Sequence, residues 1–89
     1  KVVIKVFNLP SNIKITGMED GVDGLHIFFY HSGVRSIIFL DESDASALSS
    51  LPYNRIKVLA GSESIAAEGS IELIYDGVLQ RWLFLSIHD

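Results

Sequence analysis

Apolar and polar residues alternate in several short stretches of the chain. In Ser70–Tyr75, for example, Ile71, Leu73 and Tyr75 fall on one face of an extended backbone, and the intervening residues fall on the other. No long stretch repeats its apolar residues with the 3.6-residue period of a helix. The pattern predicts about seven short strands, at Val2–Phe7, Ile13–Thr16, Leu25–His31, Val34–Leu40, Arg55–Leu59, Ser70–Tyr75 and Arg81–Ile87.

Short turn sequences separate two pairs of these strands. Asp76-Gly77 stands before Arg81–Ile87, and Ser32-Gly33 stands before Val34–Leu40. Glycine adopts positive φ without strain, and Asp and Ser side chains bond to nearby backbone, so both sites predict hairpins. We therefore expect one all-β domain over residues 1–89, with about seven short antiparallel strands and two hairpins in a sandwich-like or prism-like arrangement.

The return strands of both predicted hairpins are apolar on both faces. A strand with one face in water should alternate cleanly, and these strands therefore need cover on both sides. A domain of 89 residues buries only about 60–65% of its unfolded surface, yet 48% of the residues are hydrophobic. Either a monomer exposes this excess apolar surface as patches, or the chain buries it against other chains. We expect the second.

Composition excludes several kinds of protein. The chain has no cysteine, so disulfides, thiolate nucleophiles and Cys-based zinc sites are impossible. The net charge of −4 and the scattered Lys and Arg residues disfavour binding to a nucleic-acid backbone. No apolar run approaches the length of a membrane span, and no signal-peptide pattern begins the chain. Because the sequence opens directly on a strand, we expect it to be a fragment of a longer protein.

Candidate chemical groups give weak signals. His26 and His31 are five residues apart on one predicted strand and so lie on opposite faces, which makes them a poor metal pair. The acids of the loop Gly17–Gly24 have carboxylates of the kind that calcium prefers, but turn formation and solvation explain them better. The polar segment Asp41–Ser50 suits a loop or one helical turn, for which Asp44 is a candidate N-cap.

Signatures of catalysis are absent from the sequence. There is no nucleophile-elbow motif, phosphate-binding loop or zinc-protease motif. A glycan-cleaving site would need two carboxylates that face each other across a groove, and the sequence does not define such a pair. We expect a non-enzymatic protein without cofactor or metal.

Several motifs together resemble a known module when their order and spacing are considered. They are N-I-K-I-T-G at Asn12–Gly17, G-V-D-G-L-H-I at Gly21–Ile27, N-R-I at Asn54–Ile56, and G-S-I-E-L-I-Y-D-G followed by R-W within Gly69–Trp82. This series is similar to a module of tail fibres, tail spikes and receptor-binding proteins of bacteriophages. The resemblance covers about Ile13 to Leu85.

The resemblance implies a β-rich homotrimer on the virion, assembled in the host cytoplasm. Such modules form shaft segments, trimerisation units or tips that contact a bacterial surface glycan or another host receptor. For host or glycan contact we select Tyr53, Asn54 and Trp82, since aromatic rings stack on sugars and amides bond to hydroxyl groups. The turn around Tyr53 favours an exposed ring, whereas the apolar strand around Trp82 favours a place in the core. For the trimer core we select the apolar strand residues Ile27, Phe29, Ile38, Leu73, Leu83 and Leu85.

The predicted function is thus a structural and host-attachment module of a trimeric phage tail fibre or receptor-binding protein. Its loops Gly17–Gly24, Asp41–Asn54 and Gly61–Glu68 would face outward. Two alternatives remain open. A monomeric carbohydrate-binding β-sandwich predicts a monomer with a groove that exposes aromatic rings. A fragment of a glycan depolymerase predicts paired carboxylates in a cleft and measurable polysaccharide cleavage.

Overall fold

Strands dominate the structure, a computed structural model that describes residues 2–58, 63–65 and 68–88. This confirms the predicted β class. The strands are β1 (Val2–Phe7), β2 (Ile13–Ile15), β3 (His26–Ser32), β4 (Ile37–Phe39), β5 (Ile56–Lys57), β6 (Glu63–Ile65), β7 (Glu68–Asp76) and β8 (Arg81–His88). Two short 3-10 helices, Ala45–Ser49 and Pro52–Asn54, lie between β4 and β5.

The strands form two sheets with both parallel and antiparallel neighbours. One sheet has five strands in the order β1-β3-β7-β8-β5, and the other has three in the order β2-β4-β6. The pairs β1–β3, β2–β4 and β5–β8 are parallel, so the prediction of an antiparallel arrangement was wrong for them. The first two of these pairs arise because the chain passes from the large sheet to the small one after β1 and again after β3. As a result β3 lies beside β1, and β4 beside β2, in the same direction.

The hairpin predicted around Asp76-Gly77 is confirmed. β7 pairs antiparallel with β8 through a turn at residues 77–80. The Asp76 carboxylate holds this turn by accepting hydrogen bonds from the backbone N–H groups of Val78 (2.9 Å) and Leu79 (3.0 Å). The register shifts beside Glu72, where an additional residue of β8 forms a bulge that includes Leu85.

The hairpin predicted over Leu25–Leu40 was wrong. β3 pairs with β1 and β7, whereas β4 pairs with β2 and β6 in the other sheet. The segment between them is therefore a connection between sheets. A further difference is β6, which lies in the expected loop Gly61–Glu68; residues 61, 62, 66 and 67 of that loop lie outside the described residues.

One hydrophobic core lies between the facing sides of the two sheets. Phe29 of β3 meets Phe39 of β4 edge to face, with ring centroids 5.4 Å apart. The buried residues of the core are Ile27, Phe29, Ile37, Phe39, Ile56, Val58, Ile71, Leu73, Tyr75 and Trp82. Three of the residues selected for a trimer core, Ile27, Phe29 and Leu73, are thus buried by their own chain and present no surface to another copy.

The opposite side of the five-stranded sheet, here called the outer face, is also partly apolar. Cross-strand register places Val3, Phe28, Ile74 and Leu83 on it, and the bulge leaves Leu85 about half exposed. A hydrogen-bonded pair, His26 Nε2 and Glu72 Oε2 at 3.0 Å, lies among them. Ile38, the remaining residue of the expected trimer core, is half-buried in β4 and belongs to the small sheet.

Candidate functional site: a loop cleft beside Tyr53

Two loops meet in a small cleft of about 230 Å³. One is part of the glycine-rich segment that follows β2, and the other contains the 3-10 helix Pro52–Asn54. The residues that line the cleft are Glu19, Asp20, Leu51, Tyr53 and Asn54. The structure therefore brings two of the predicted contact residues, Tyr53 and Asn54, together with two carboxylates that are distant in sequence.

Backbone contacts join the two loops below the cleft. The Met18 N–H donates to the Asn54 carbonyl at 2.9 Å, and Gly17 forms an isolated antiparallel bridge with Arg55. A Cβ atom on Gly17 would lie 2.6 Å from the Asn54 carbonyl oxygen. Only glycine permits this approach, and the close contact fixes the position of Glu19 and Asp20 relative to the helix.

Tyr53 is exposed to solvent, and the 3-10 helix fixes the conformation of its backbone. Pro52 supplies the fixed φ that starts the 3-10 helix, and the Asn54 N–H donates to the Leu51 carbonyl. The Tyr53 side chain is 51% exposed, while the neighbouring Asn54 is only 9% exposed. One residue of the helix thus offers an aromatic face, and the next offers an amide at the wall of the cleft.

A buried aromatic pair supports both loops. Tyr75 and Trp82 lie opposite each other in the β7–β8 hairpin, with ring centroids 5.1 Å apart in an edge-to-face contact. The Tyr75 hydroxyl donates to the Tyr53 carbonyl at 2.8 Å, and the Trp82 indole N–H donates to the Met18 carbonyl at 3.0 Å. The apolar parts of both rings fill the core while their polar atoms bond to the loop backbones.

The burial of Trp82 corrects one predicted contact residue. Its side chain is fully buried, so its ring cannot stack on a sugar. Its indole N–H instead positions the loop that contains Glu19. Tyr75 is likewise a supporting residue, and Gly21 lies so close to its ring that a Cβ atom there would overlap the Tyr75 ring carbons. The sequence signal for this support was the placement of two aromatics with polar atoms at facing positions of one hairpin.

The two carboxylates of the cleft are exposed. In the part of the chain that the structure describes, neither Glu19 nor Asp20 forms an ion pair. Asp20 has φ of 61°, a left-handed conformation that Asp and Asn adopt more readily than most residues. Asp23 differs, because its carboxylate accepts a hydrogen bond from the Gly77 N–H at 2.8 Å and so fastens the loop to the hairpin turn.

Two further acidic residues, Asp41 and Glu42, stabilise the fold through hydrogen bonds and ion pairs. Glu42 accepts a hydrogen bond from Arg81 Nε at 2.9 Å and lies 3.2 Å from Lys57 Nζ. The Arg81 bond, opposed by partial burial and aided by Lys57, lowers the pKa of Glu42. Burial acts to raise the pKa of Asp41, but hydrogen bonds from the Ser43 hydroxyl and from backbone N–H groups outweigh it, and the pKa is lowered.

Asp44 caps the 3-10 helix Ala45–Ser49, as the sequence suggested for a helical turn. Its carboxylate accepts a hydrogen bond from the Ser46 N–H at 2.9 Å. Arg55 closes the same segment from the other side, because its Nε donates to the carbonyls of Ala47 (3.1 Å) and Ser50 (3.0 Å). The loop Asp41–Asn54 therefore reaches the cleft in a defined conformation.

The two histidines of β3 are not placed to bind one metal ion together. His26 lies on the outer face and His31 is buried in the core, on opposite sides of β3 as their spacing predicted. Among residues 2–58, 63–65 and 68–88 no group of three His, Cys, Asp or Glu residues is arranged to hold a metal ion. The same residues contain no helix that is long and apolar enough to cross a membrane.

Comparison with known proteins identified no relationship. No protein-family model, curated protein or solved structure matches the chain.

Proposed function

We propose that this chain is a structural and host-attachment module of a trimeric bacteriophage tail fibre or receptor-binding protein, and that it acts without catalysis. The attachment role is supported by one observation above all. The exposed ring of Tyr53 lies in a cleft beside two carboxylates and the Asn54 amide. The sequence motifs between Asn12 and Trp82, which resemble those of phage fibre modules, support the placement in a virion.

The groups in the cleft suit a sugar. The apolar face of a sugar ring packs on a tyrosine ring, while carboxylates accept and amides exchange hydrogen bonds with hydroxyl groups. At about 230 Å³ the cleft is smaller than typical ligand pockets of about 300–1,000 Å³, so it suits a single sugar residue. A contact of that size is weak. Three copies on one fibre would raise its effective affinity through local concentration.

The outer face supports assembly into a trimer. Its apolar members Val3, Phe28, Ile74, Leu83 and Leu85 lie together on one side of the sheet, where Val3 and Leu85 are about half exposed and the others are half-buried. Burial of this face between copies, with the sheets arranged as a sandwich or prism around the three-fold axis, would remove it from water. Of the residues selected from sequence for the trimer core, Leu83 and Leu85 are the two that belong to this surface.

The attachment role is tested by binding of bacterial surface oligosaccharides to the isotopically labelled chain, followed by nuclear magnetic resonance. Saccharides that bind should shift the backbone signals of Glu19, Asp20 and Tyr53, and Tyr53→Ala should abolish the shifts. Phe7→Ala is the matched control, since Phe7 on β1 is 56% exposed and does not line the cleft. Shifts that persist in Tyr53→Ala, or that vanish equally in Phe7→Ala, would contradict a sugar site at Tyr53.

A monomeric carbohydrate-binding sandwich is the second candidate, and the surface area favours it. The chain exposes 5138 Å², close to the roughly 5,200 Å² expected for an ordinary monomer of its mass. Molar mass in solution separates the two candidates. The depolymerase alternative predicts that the same saccharides acquire new reducing ends on incubation with the chain, and the binding samples serve for that assay.

A further inference from the structure

All charged side chains that line the cleft are acidic. Glu19 and Asp20 contribute two negative charges, and the other lining residues are neutral. Nearby cations are engaged elsewhere: Arg81 and Lys57 bind Glu42, and Arg55 donates to backbone carbonyls of the Asp41–Asn54 loop. A ligand in the cleft therefore meets negative charge that the described residues do not neutralise.

The Asn54 amide provides an independent sign of a ligand. The residue is nine-tenths buried and lines the cleft, and its backbone carbonyl accepts from Met18 N–H. Within the described part of the chain its side-chain amide has no hydrogen-bond partner. The amide lines the cleft and forms no hydrogen bond to the described residues, so a hydroxyl or amine group of a ligand can bind to it there.

We infer that the cleft selects a sugar with a free amino group, bound as the ammonium ion, over a neutral sugar, and rejects sugars that carry a carboxylate, phosphate or sulfate. This inference rests on the sugar contact proposed above and specifies its ligand. An ammonium group donates up to three hydrogen bonds, and both carboxylates only accept them. The ring of Tyr53 adds a weak attraction for a cation, whereas an anionic sugar meets repulsion from Glu19 and Asp20.

The expected preference is moderate because both carboxylates are exposed. An ion pair of this kind contributes a factor of about two to five in affinity, and two carboxylates together favour the amino sugar by on the order of fivefold. The preference should shrink as salt is added, since mobile ions screen exposed charges.

Three hexasaccharides with the same β-1,4 linkage test the inference. They are the hexamers of glucose, of glucosamine and of glucuronic acid, which differ only in a neutral, a cationic or an anionic substituent. Each is titrated into the full chain at one mildly acidic pH at which the amines of the glucosamine hexamer are protonated. We expect the glucosamine hexamer to bind most tightly, the glucuronic acid hexamer most weakly, and the side-chain amide signals of Asn54 to shift on binding.

A double variant, Glu19→Gln with Asp20→Asn, removes both charges and keeps the shapes. Asn tolerates the left-handed backbone at position 20, so the loop should fold normally. We expect the three affinities to converge to within about twofold. Glu72→Gln, on the outer face, is the control for a change of net charge and should leave the order of affinities intact.

Equal or tighter binding of the glucuronic acid hexamer would overturn the inference while the sugar contact itself stands. The same holds if the double variant retains the preference for glucosamine. If neither the hexamers nor bacterial surface oligosaccharides shift the signals of the cleft, the sugar contact is contradicted and the inference falls with it.

Discussion

The two faces of the β7–β8 hairpin differ in how deeply the chain buries their apolar side chains. On the inner face Ile71, Leu73 and Trp82 are completely buried by the small sheet and the loops. On the outer face Leu83 is half-buried and Leu85 is about half exposed. The same kinds of residue thus complete a core on one side and remain at a surface on the other. The inner face explains why the chain folds, and the outer face is the surface that the proposed trimer would bury.

A matched pair of leucine substitutions should show the largest difference between the faces. Leu73→Ala opens a cavity in the core and should lower the free energy of unfolding by about 2–5 kcal/mol at every protein concentration. Leu85→Ala removes surface area only, and should change the stability of the single chain by less than about 0.5 kcal/mol. Urea denaturation measures both. Similar losses for the two variants in dilute solution would contradict the distinction between the faces.

Residues of the inner face also support the loops that form the cleft, and a pair of tyrosine substitutions tests this support. Tyr75→Phe removes the hydroxyl that donates to the Tyr53 carbonyl and should cost about 1 kcal/mol of stability and weaken sugar binding. Tyr53→Phe removes an exposed hydroxyl and should leave stability unchanged within about 0.5 kcal/mol. Equal stability of Tyr75→Phe and the unaltered chain would show that this hydrogen bond does not hold the cleft.

Acid should lower the stability of the fold by a smaller amount, because it weakens the hydrogen bonds and ion pairs of Asp41 and Glu42. The pKa values of Asp41 and Glu42 in the folded chain lie below their ordinary values of 3.8 and 4.5. Their contribution is therefore fully present above about pH 4.5 and is lost as the pH falls through the folded pKa values. Each ion pair of Glu42 contributes about 0.2–1 kcal/mol, and a hydrogen bond to Asp41 contributes about 1 kcal/mol, so the loss is modest.

Thermal unfolding as a function of pH measures that loss. The variants Asp41→Asn and Glu42→Gln should each show a flatter fall of the melting temperature below pH 4.5 than the unaltered chain. An identical fall in all three proteins would assign the acid sensitivity to other carboxylates.

Sequence patterns predicted the hairpin and the β class because both depend on neighbouring residues. The alternation in Ser70–Tyr75 and the turn at Asp76-Gly77 are local signals, and β7–β8 formed where they indicated. The Ser32-Gly33 turn is equally local, but it does not specify a partner strand. β3 pairs instead with β1 in parallel and with β7 in antiparallel orientation, and pairing between strands that are distant in sequence leaves no turn signature.

The cleft shows the same limit. Tyr53 was identified from its Pro-Tyr-Asn turn, a local feature that favours an exposed ring. The meeting of Tyr53 with Glu19 and Asp20 depends on contacts across more than thirty positions and could not be inferred from spacing. Trp82 was misassigned because a facing pair of polar-tipped aromatics fits both a binding platform and a buried support. The burial of Trp82 and the hydrogen bond from its indole N–H to the Met18 carbonyl identify it as a buried support.

Molar mass in solution, measured by light scattering over a wide range of concentration, tests most directly whether the outer face joins copies of the chain. The unaltered chain should approach three times 9.8 kDa. The double variant Leu83→Ser with Leu85→Ser should remain at 9.8 kDa with an unchanged circular dichroism spectrum. A mass of 9.8 kDa for the unaltered chain at every concentration would contradict the trimer and leave the monomeric sugar-binding module in its place.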